Sequence, residues 1–145
     1  MFRVRVERTL DKPIETVFDM LTDHEGYTRF RGISEAELLE EGREEKNGEG
    51  AWRKLTSAKG FFVERITRFE RPTRIDYYVE ESKPLSLRHD RGEITLSPEG
   101  NGTKVVWISE GHALVPILGT LLFDRMIENQ GSAAFGGMID HIGAE

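Results

Sequence analysis

Residues 1–21 read MFRVRVERTLDKPIETVFDML, and the change of period within them decides the fold. Phe2, Val4 and Val6 share one parity and Arg3, Arg5 and Glu7 the other, the pattern of a strand buried on one face. The strand should run to about Leu10. Asp11-Lys12-Pro13 then offers a capping residue and a proline suited to a first helical turn, and Ile14, Val17, Phe18 and Leu21 follow at helical spacing. The next stretch, His24-Glu25-Gly26-Tyr27-Thr28-Arg29-Phe30, predicts a second short helix and a loop.

Working outward, the chain from Ser34 to His112 reads as consecutive antiparallel strands. The punctuation is Lys46-Asn47-Gly48-Glu49-Gly50, Ala58-Lys59-Gly60, Arg71-Pro72-Thr73 and Glu99-Gly100-Asn101-Gly102, read as tight turns. Six strands are expected, at 35–41, 51–57, 61–70, 73–81, 87–97 and 103–112. Residues 118–142 lack proline and place Phe123, Ile127, Ala134 and Met138 on one stripe, with Asp124, Arg125, Glu128 and Asp140 mostly opposite. This long helix is the element available to cover the sheet. The expected fold is therefore α+β: a seven-stranded curved antiparallel sheet, two short helices after strand 1, and a C-terminal helix in the concave face, all one domain over 1–145.

Composition narrows the function. The 145 residues are 37% hydrophobic and 32% charged, enough for a core and too apolar for disorder. Lys plus Arg number 20 against 26 Asp plus Glu, and a net charge of -6 argues against a nucleic-acid partner. The sequence has no cysteine, so disulfides, thiolate nucleophiles and cysteine-based zinc sites are excluded. The N-terminal stretch lacks the continuous apolar core of a secretory signal. The longest apolar run, 113–123, is broken by Pro116 and Gly119 and falls short of the ~20 residues of a membrane span. A soluble, cytoplasmic protein with no integral membrane segment is expected, with the oligomeric state open, a homodimer included.

The strand Val4-x-Val6-x-Arg8 leading into Asp11-Lys12-Pro13, then Val17-Phe18-Asp19-Met20-Leu21-Thr22-Asp23, and the terminal helix together resemble the START-like or Bet v 1-like (SRPBCC) superfamily. Within it, they resemble the bacterial polyketide cyclase/dehydrase and lipid-transport group. The resemblance spans nearly the whole chain and rests on structural rather than catalytic motifs. It implies a helix-grip fold with a deep apolar cavity between helix and sheet. It also implies that Tyr27 and Phe30, in the 27–32 segment, and Glu110 and His112, in the 110–116 connection, flank the cavity entrance.

Candidate chemistry is sparse. His89 and Asp90 are adjacent in a strand and point to opposite faces, so they form no dyad, but His89 on the parity of Leu87 can enter the cavity as a proton donor or acceptor. Glu110 and His112 share a face near a strand end, where an acid–base couple competes with a solvated mouth. No His spacing suits a metal, and neither metal nor cofactor is expected. No serine lies in a G-x-S-x-G turn, so no catalytic residue can be named. Gly131, Ala133, Ala134, Gly136 and Gly137 either leave room for a ligand or allow close packing. Gln130 lies on the same stripe, and Arg53 and Tyr77 sit as polar points among apolar neighbours, the pattern of a small-molecule pocket. Trp52 and Trp107 are candidate anchors of the core.

Three functions fit. One is enclosure of a small hydrophobic or amphipathic molecule, such as a lipid, isoprenoid or polyketide-like ring compound, by Arg53, Tyr77, His89, Trp107, Phe123, Ile127, Gln130, Ala134 and Met138. The second is a cyclase or dehydratase in which His89, Tyr77 or Arg53 polarises a carbonyl. The third is docking on a partner protein through the 114–118 segment.

Overall fold

A computed structural model describes residues 1–115 and 120–145. β1 (Phe2–Leu10) leads into α1 (Ile14–Thr22) and a 3-10 helix (His24–Arg29). There follow β2 (Ile33–Glu40), β3 (Trp52–Ser57), β4 (Gly60–Glu70), β5 (Arg74–Lys83), β6 (Leu87–Glu99), β7 (Gly102–Ala113) and α2 (Thr120–Ala144). Neighbouring strands are antiparallel in the order β1-β7-β6-β5-β4-β3-β2, so β1 and β2 are the two edges of an open seven-stranded sheet. This is the α+β arrangement that the alternating pattern predicts, and the helix-grip fold that the family resemblance implies. The strand bounds agree within two residues, because one buried face leaves little freedom of register. The docking segment's Pro116 to Leu118, and the first two residues of the expected helix, lie outside the described residues.

One turn differs. Residues 41–51 form a longer excursion that closes on itself, with Gly42 N–H donating to the Lys46 carbonyl at 2.9 Å and Arg43 N–H to that of Glu49 at 3.0 Å. Gly50 N–H then donates to the Ile66 carbonyl at 2.9 Å, returning the chain to the sheet.

Alternation sorts the faces. Val4, Val6, Val105, Trp107, Ile94 and Ile75 point inward and are buried. The outer face carries ion pairs such as Arg65–Glu80 and Arg74–Asp76, open to solvent on one side and individually weak. Trp52 belongs to this outer side, half-buried with Arg65 over its ring, and is not a core anchor.

The inward face of α2 differs from the expected stripe. Ala134 and Gln130 are exposed, while Asp124, Gly136, Ile139 and Ile142 are buried and Phe135 is half-buried against the core. A shift of one position rotates the face by about 100°. Two observations explain it. The Asp124 carboxylate accepts the Ala113 N–H at 3.1 Å, fixing the second turn of α2 to the end of β7. The glycines then face β1: a Cβ on Gly131 falls 2.9 Å from Val4 Cγ2, and one on Gly143 falls 2.8 Å from Leu10 Cδ2. At these positions the absent side chains serve close helix–sheet packing rather than space for a ligand.

Coverage varies along the inner face. Toward the Leu10 end, Phe18, Ile75, Ile94 and Val105 are sealed by α1 and the helix. Toward the other end, Leu87 and Ile127 are half-buried and Phe62 is 41% exposed. Among the described residues, the apolar interior is therefore least covered at the end where β4 and β6 begin.

The rotation of α2 makes a direct prediction. Ala134→Trp should leave unfolding free energy within about 0.5 kcal/mol of the parent, whereas Gly131→Leu should cost about 1 to 3 kcal/mol by forcing the helix off β1. Urea denaturation of the two variants checks this.

Candidate functional site

Arg53, Tyr77, His89 and Trp107 come together on the inner face, each no more than 5% exposed. Alternation in β3 and β5 puts the first two inward, and β7 does the same for Trp107. Two residues the sequence reading passed over join them. Glu64 on β4 lies directly opposite Arg53 in the register, and His24 comes from the 3-10 helix.

Arg53 is the hub. Its Nε donates to Glu64 Oε1 at 2.8 Å, Nη2 lies 2.7 Å from the same oxygen, and Nη1 donates to His24 Nδ1 at 3.0 Å. Since a guanidinium only donates, His24 Nδ1 is an acceptor, and Nε2–H donates to the Asn47 carbonyl at 2.9 Å. The guanidinium also lies 4.6 Å from the centre of the Tyr27 ring. Burial opposes the Arg53 charge, but Tyr27 and Glu64 outweigh it and hold its pKa above the ordinary value. His24 is neutral: burial, then the Arg53 charge, push its pKa down to about 3.

A second string of bonds crosses β5, β6 and β7. Val79 N–H donates to His89 Nδ1 at 3.1 Å, and His89 Nε2–H donates to Ser109 Oγ at 3.0 Å. Trp107 Nε1–H donates to the Tyr77 hydroxyl at 2.9 Å. Desolvation drives the Tyr77 pKa upward, reinforced by the nearby Glu64 charge and opposed by hydrogen bonds from Trp107 and Ser109. The phenol oxygen thus accepts the Trp107 N–H, and among the described residues no hydrogen bond donated by its own proton is seen. Glu64 Oε2 likewise takes no hydrogen bond from a described residue.

The remaining candidates lie elsewhere. Ile127 and Met138 are half-buried against the core, and Phe123 is half-buried in the first turns of α2. Gln130 and Ala134 point to solvent and line nothing. Tyr27 and Phe30 are not entrance residues: both are fully buried, Tyr27 donating its hydroxyl to the Leu21 carbonyl at 2.7 Å and Phe30 meeting the His141 ring at 5.6 Å. Glu110 and His112 sit on the outer face because Ser109 and Gly111 hold the inner parity. Glu110 pairs with Arg3 at 3.1 Å, and His112 lies 3.5 Å from Asp90. Glu64 was visible in principle, since it shares the parity of Phe62 and Ile66. His24 was not, because its place depends on how the 41–51 excursion folds.

Between helix and sheet, Trp107 stacks on Phe135 at 4.2 Å. Two pockets lined by described residues, about 220 and 240 Å³, open on the outer side of the sheet. Among the described residues no group of three or more His, Asp or Glu is placed to hold a metal, and no helix is long and apolar enough to cross a membrane.

The family model described as polyketide cyclase / dehydrase and lipid transport matches residues 1–143. No curated protein matches the chain. Solved structures with the same fold include a START superfamily protein from Mycobacterium smegmatis, at 12% identity and TM-score 0.79 over 99% of this chain and 96% of that one. The Zhui aromatase/cyclase from Streptomyces sp. R1128 is 17% identical with TM-score 0.74, over 97% and 92%. A protein of Thermus thermophilus is 22% identical with TM-score 0.74, over 98% and 97%.

Two measurements probe the cluster. Glu64→Leu strands a buried guanidinium and should cost about 3 to 5 kcal/mol, while Arg53→Met with Glu64→Leu should recover most of that loss. For His24, the unfolded chain binds a proton near pH 6.5 and the folded one only near pH 3. Its contribution is therefore whole above the unfolded pKa and falls by about 1.4 kcal/mol per pH unit as acid is added. His24→Gln should flatten the dependence of the urea midpoint on pH between about 6 and 5, where ordinary carboxylates remain ionised.

Proposed function

The chain belongs to the polyketide cyclase / dehydrase and lipid transport family, and from that premise we propose that it binds a small amphipathic molecule at the less covered end of its inner face. The apolar body of the ligand enters between Phe62, Leu87 and Ile127, and its polar end meets Tyr77, Arg53 and Glu64. One observation carries the reading: a buried polar cluster with an undonated phenol proton lies behind the less covered end of an apolar interior. A packed core gains nothing from such groups, since a buried ion pair rarely outperforms apolar residues of the same volume. A ligand acceptor that takes the Tyr77 proton gives the cluster a use. Phe135 stacks on Trp107 beside the cluster, so binding there requires Phe135 or its neighbours to move and exchanges side-chain contacts for ligand contacts. That exchange limits affinity to the micromolar range or weaker.

A second reading, cyclisation or dehydration, shares this geometry. The same proton polarises a bound carbonyl, assisted by the Arg53 charge, while the walls fold the substrate. It differs in outcome, because the small molecule leaves chemically altered.

Anilinonaphthalene sulfonate, an aromatic body with an acceptor-rich anionic end, is a suitable probe. Binding in the micromolar range should weaken about tenfold in Tyr77→Phe and more in Phe62→Glu, and stay unchanged in Ala134→Trp. Equal binding by all four proteins, or none by the parent, defeats the proposal. Native mass spectrometry of protein from its own source then separates carriage from turnover, by whether a retained compound keeps its mass.

A further inference from the structure

The β5–β6 ladder is incomplete, independently of any ligand. It runs through Arg74↔Thr95, Ile75↔Ile94 and Asp76↔Glu93 and stops there, although β5 continues to Lys83 and β6 begins at Leu87. Every other neighbouring pair is laddered over at least six positions. Where pairing fails, the His89 imidazole stands between the strands. Its Nδ1 accepts Val79 N–H, the place of a β6 carbonyl, and its Nε2–H reaches across to Ser109 on β7. The ring is stacked on Tyr77 of the inner face at 5.4 Å and lies 6.0 Å from Tyr78 of the outer face.

Two features make room for it. β6 shifts register between His89 and Arg91, which turns the histidine into the gap. Gly92 carries no side chain, and a Cβ there falls 2.7 Å from both His89 Cε1 and the Tyr77 carbonyl oxygen. On the outer face the pocket of about 240 Å³ has Gly92 and Tyr77 among its lining residues, with Tyr78, Asp90 and Arg91 around them. Gly92 forms part of the wall of this outer pocket, and the imidazole lies directly behind it, bonded on its far side to Ser109.

We propose that the β5/β6 gap is a second opening to the buried cluster, plugged by neutral His89, which admits water and small uncharged polar solutes when the imidazole leaves. The cation does not fit the gap: protonated Nδ1 becomes a donor facing the Val79 donor. The groups around the ring are Glu64 on β4, Tyr77 and Tyr78 on β5, Asp90 on β6, and Ser109 on β7. Burial lowers the His89 pKa more than Glu64 and Asp90 raise it, so the neutral plug persists at neutral pH and acid releases it.

Hydrogen exchange by NMR reads both sides of the plug, through the Val79 amide and the Trp107 indole N–H, with the Ile94 and Val105 amides as controls for the paired sheet. In His89→Ala at about pH 7.5, protection of the two reporters should fall about tenfold or more while the controls change less than about twofold. In the parent, lowering the pH to about 5 should reduce reporter protection relative to the controls, and His89→Gln, which keeps an acceptor and a donor, should abolish that response. Reporter protection that follows the controls in His89→Ala overturns the proposal, as does an equal acid response in parent and His89→Gln. Neither result bears on anilinonaphthalene sulfonate binding at the apolar end.

Discussion

A guanidinium taken out of water must keep its partners, and much of the interior of this protein is arranged around that requirement. Arg53 is bound to a carboxylate on the next strand, to an imidazole nitrogen from the 3-10 helix and to an aromatic face beneath it. Each partner is fixed in turn. His24 must present Nδ1 as an acceptor, so its other nitrogen donates to the Asn47 carbonyl and holds the 41–51 excursion against the core. Tyr27 is held by its bond to the last turn of α1. One buried charge thereby connects α1, the 3-10 helix, the excursion, β3 and β4, and removing any partner leaves a cost that the others cannot absorb.

The elements were legible in the sequence because strands buried on one face must alternate, and this chain alternates from Phe2 onward. The face of α2 was not. Its sequence carries glycine and alanine where a strongly amphipathic helix has large apolar residues, so several stripes compete. The deciding contacts, Asp124 with Ala113 and the glycines with β1, are tertiary. Arg53, Tyr77, His89 and Trp107, each read strand by strand as a cavity candidate, lie buried on the inner face. Alternation applied to β7 separates Glu110 and His112 from them. Glu64 was hidden for another reason: its charge suggests solvent, and only the apolar neighbours two residues away on either side show where it points.

The two faces of the sheet use charge in opposite ways. Outside, arginines and carboxylates pair in water, where each pair contributes little and salt weakens it further. Inside, the Arg53–Glu64 pair and two neutral histidines sit where screening is poor and orientation is fixed. The outer charges keep the surface hydrated, while the inner ones set which side-chain atoms remain able to donate or accept.

The open sheet leaves β2 as an edge that no described strand pairs, while β1, the opposite edge, runs under α2. Along β2 stand Glu35, Glu37 and Glu40, all exposed, with Glu41 just beyond. A second copy of the chain brought up antiparallel to this edge would set carboxylates against carboxylates, and like charges directly opposite across a ladder repel. Self-association by strand addition is therefore disfavoured at β2. A foreign segment that extends the sheet there has to bring lysine or arginine at alternate positions.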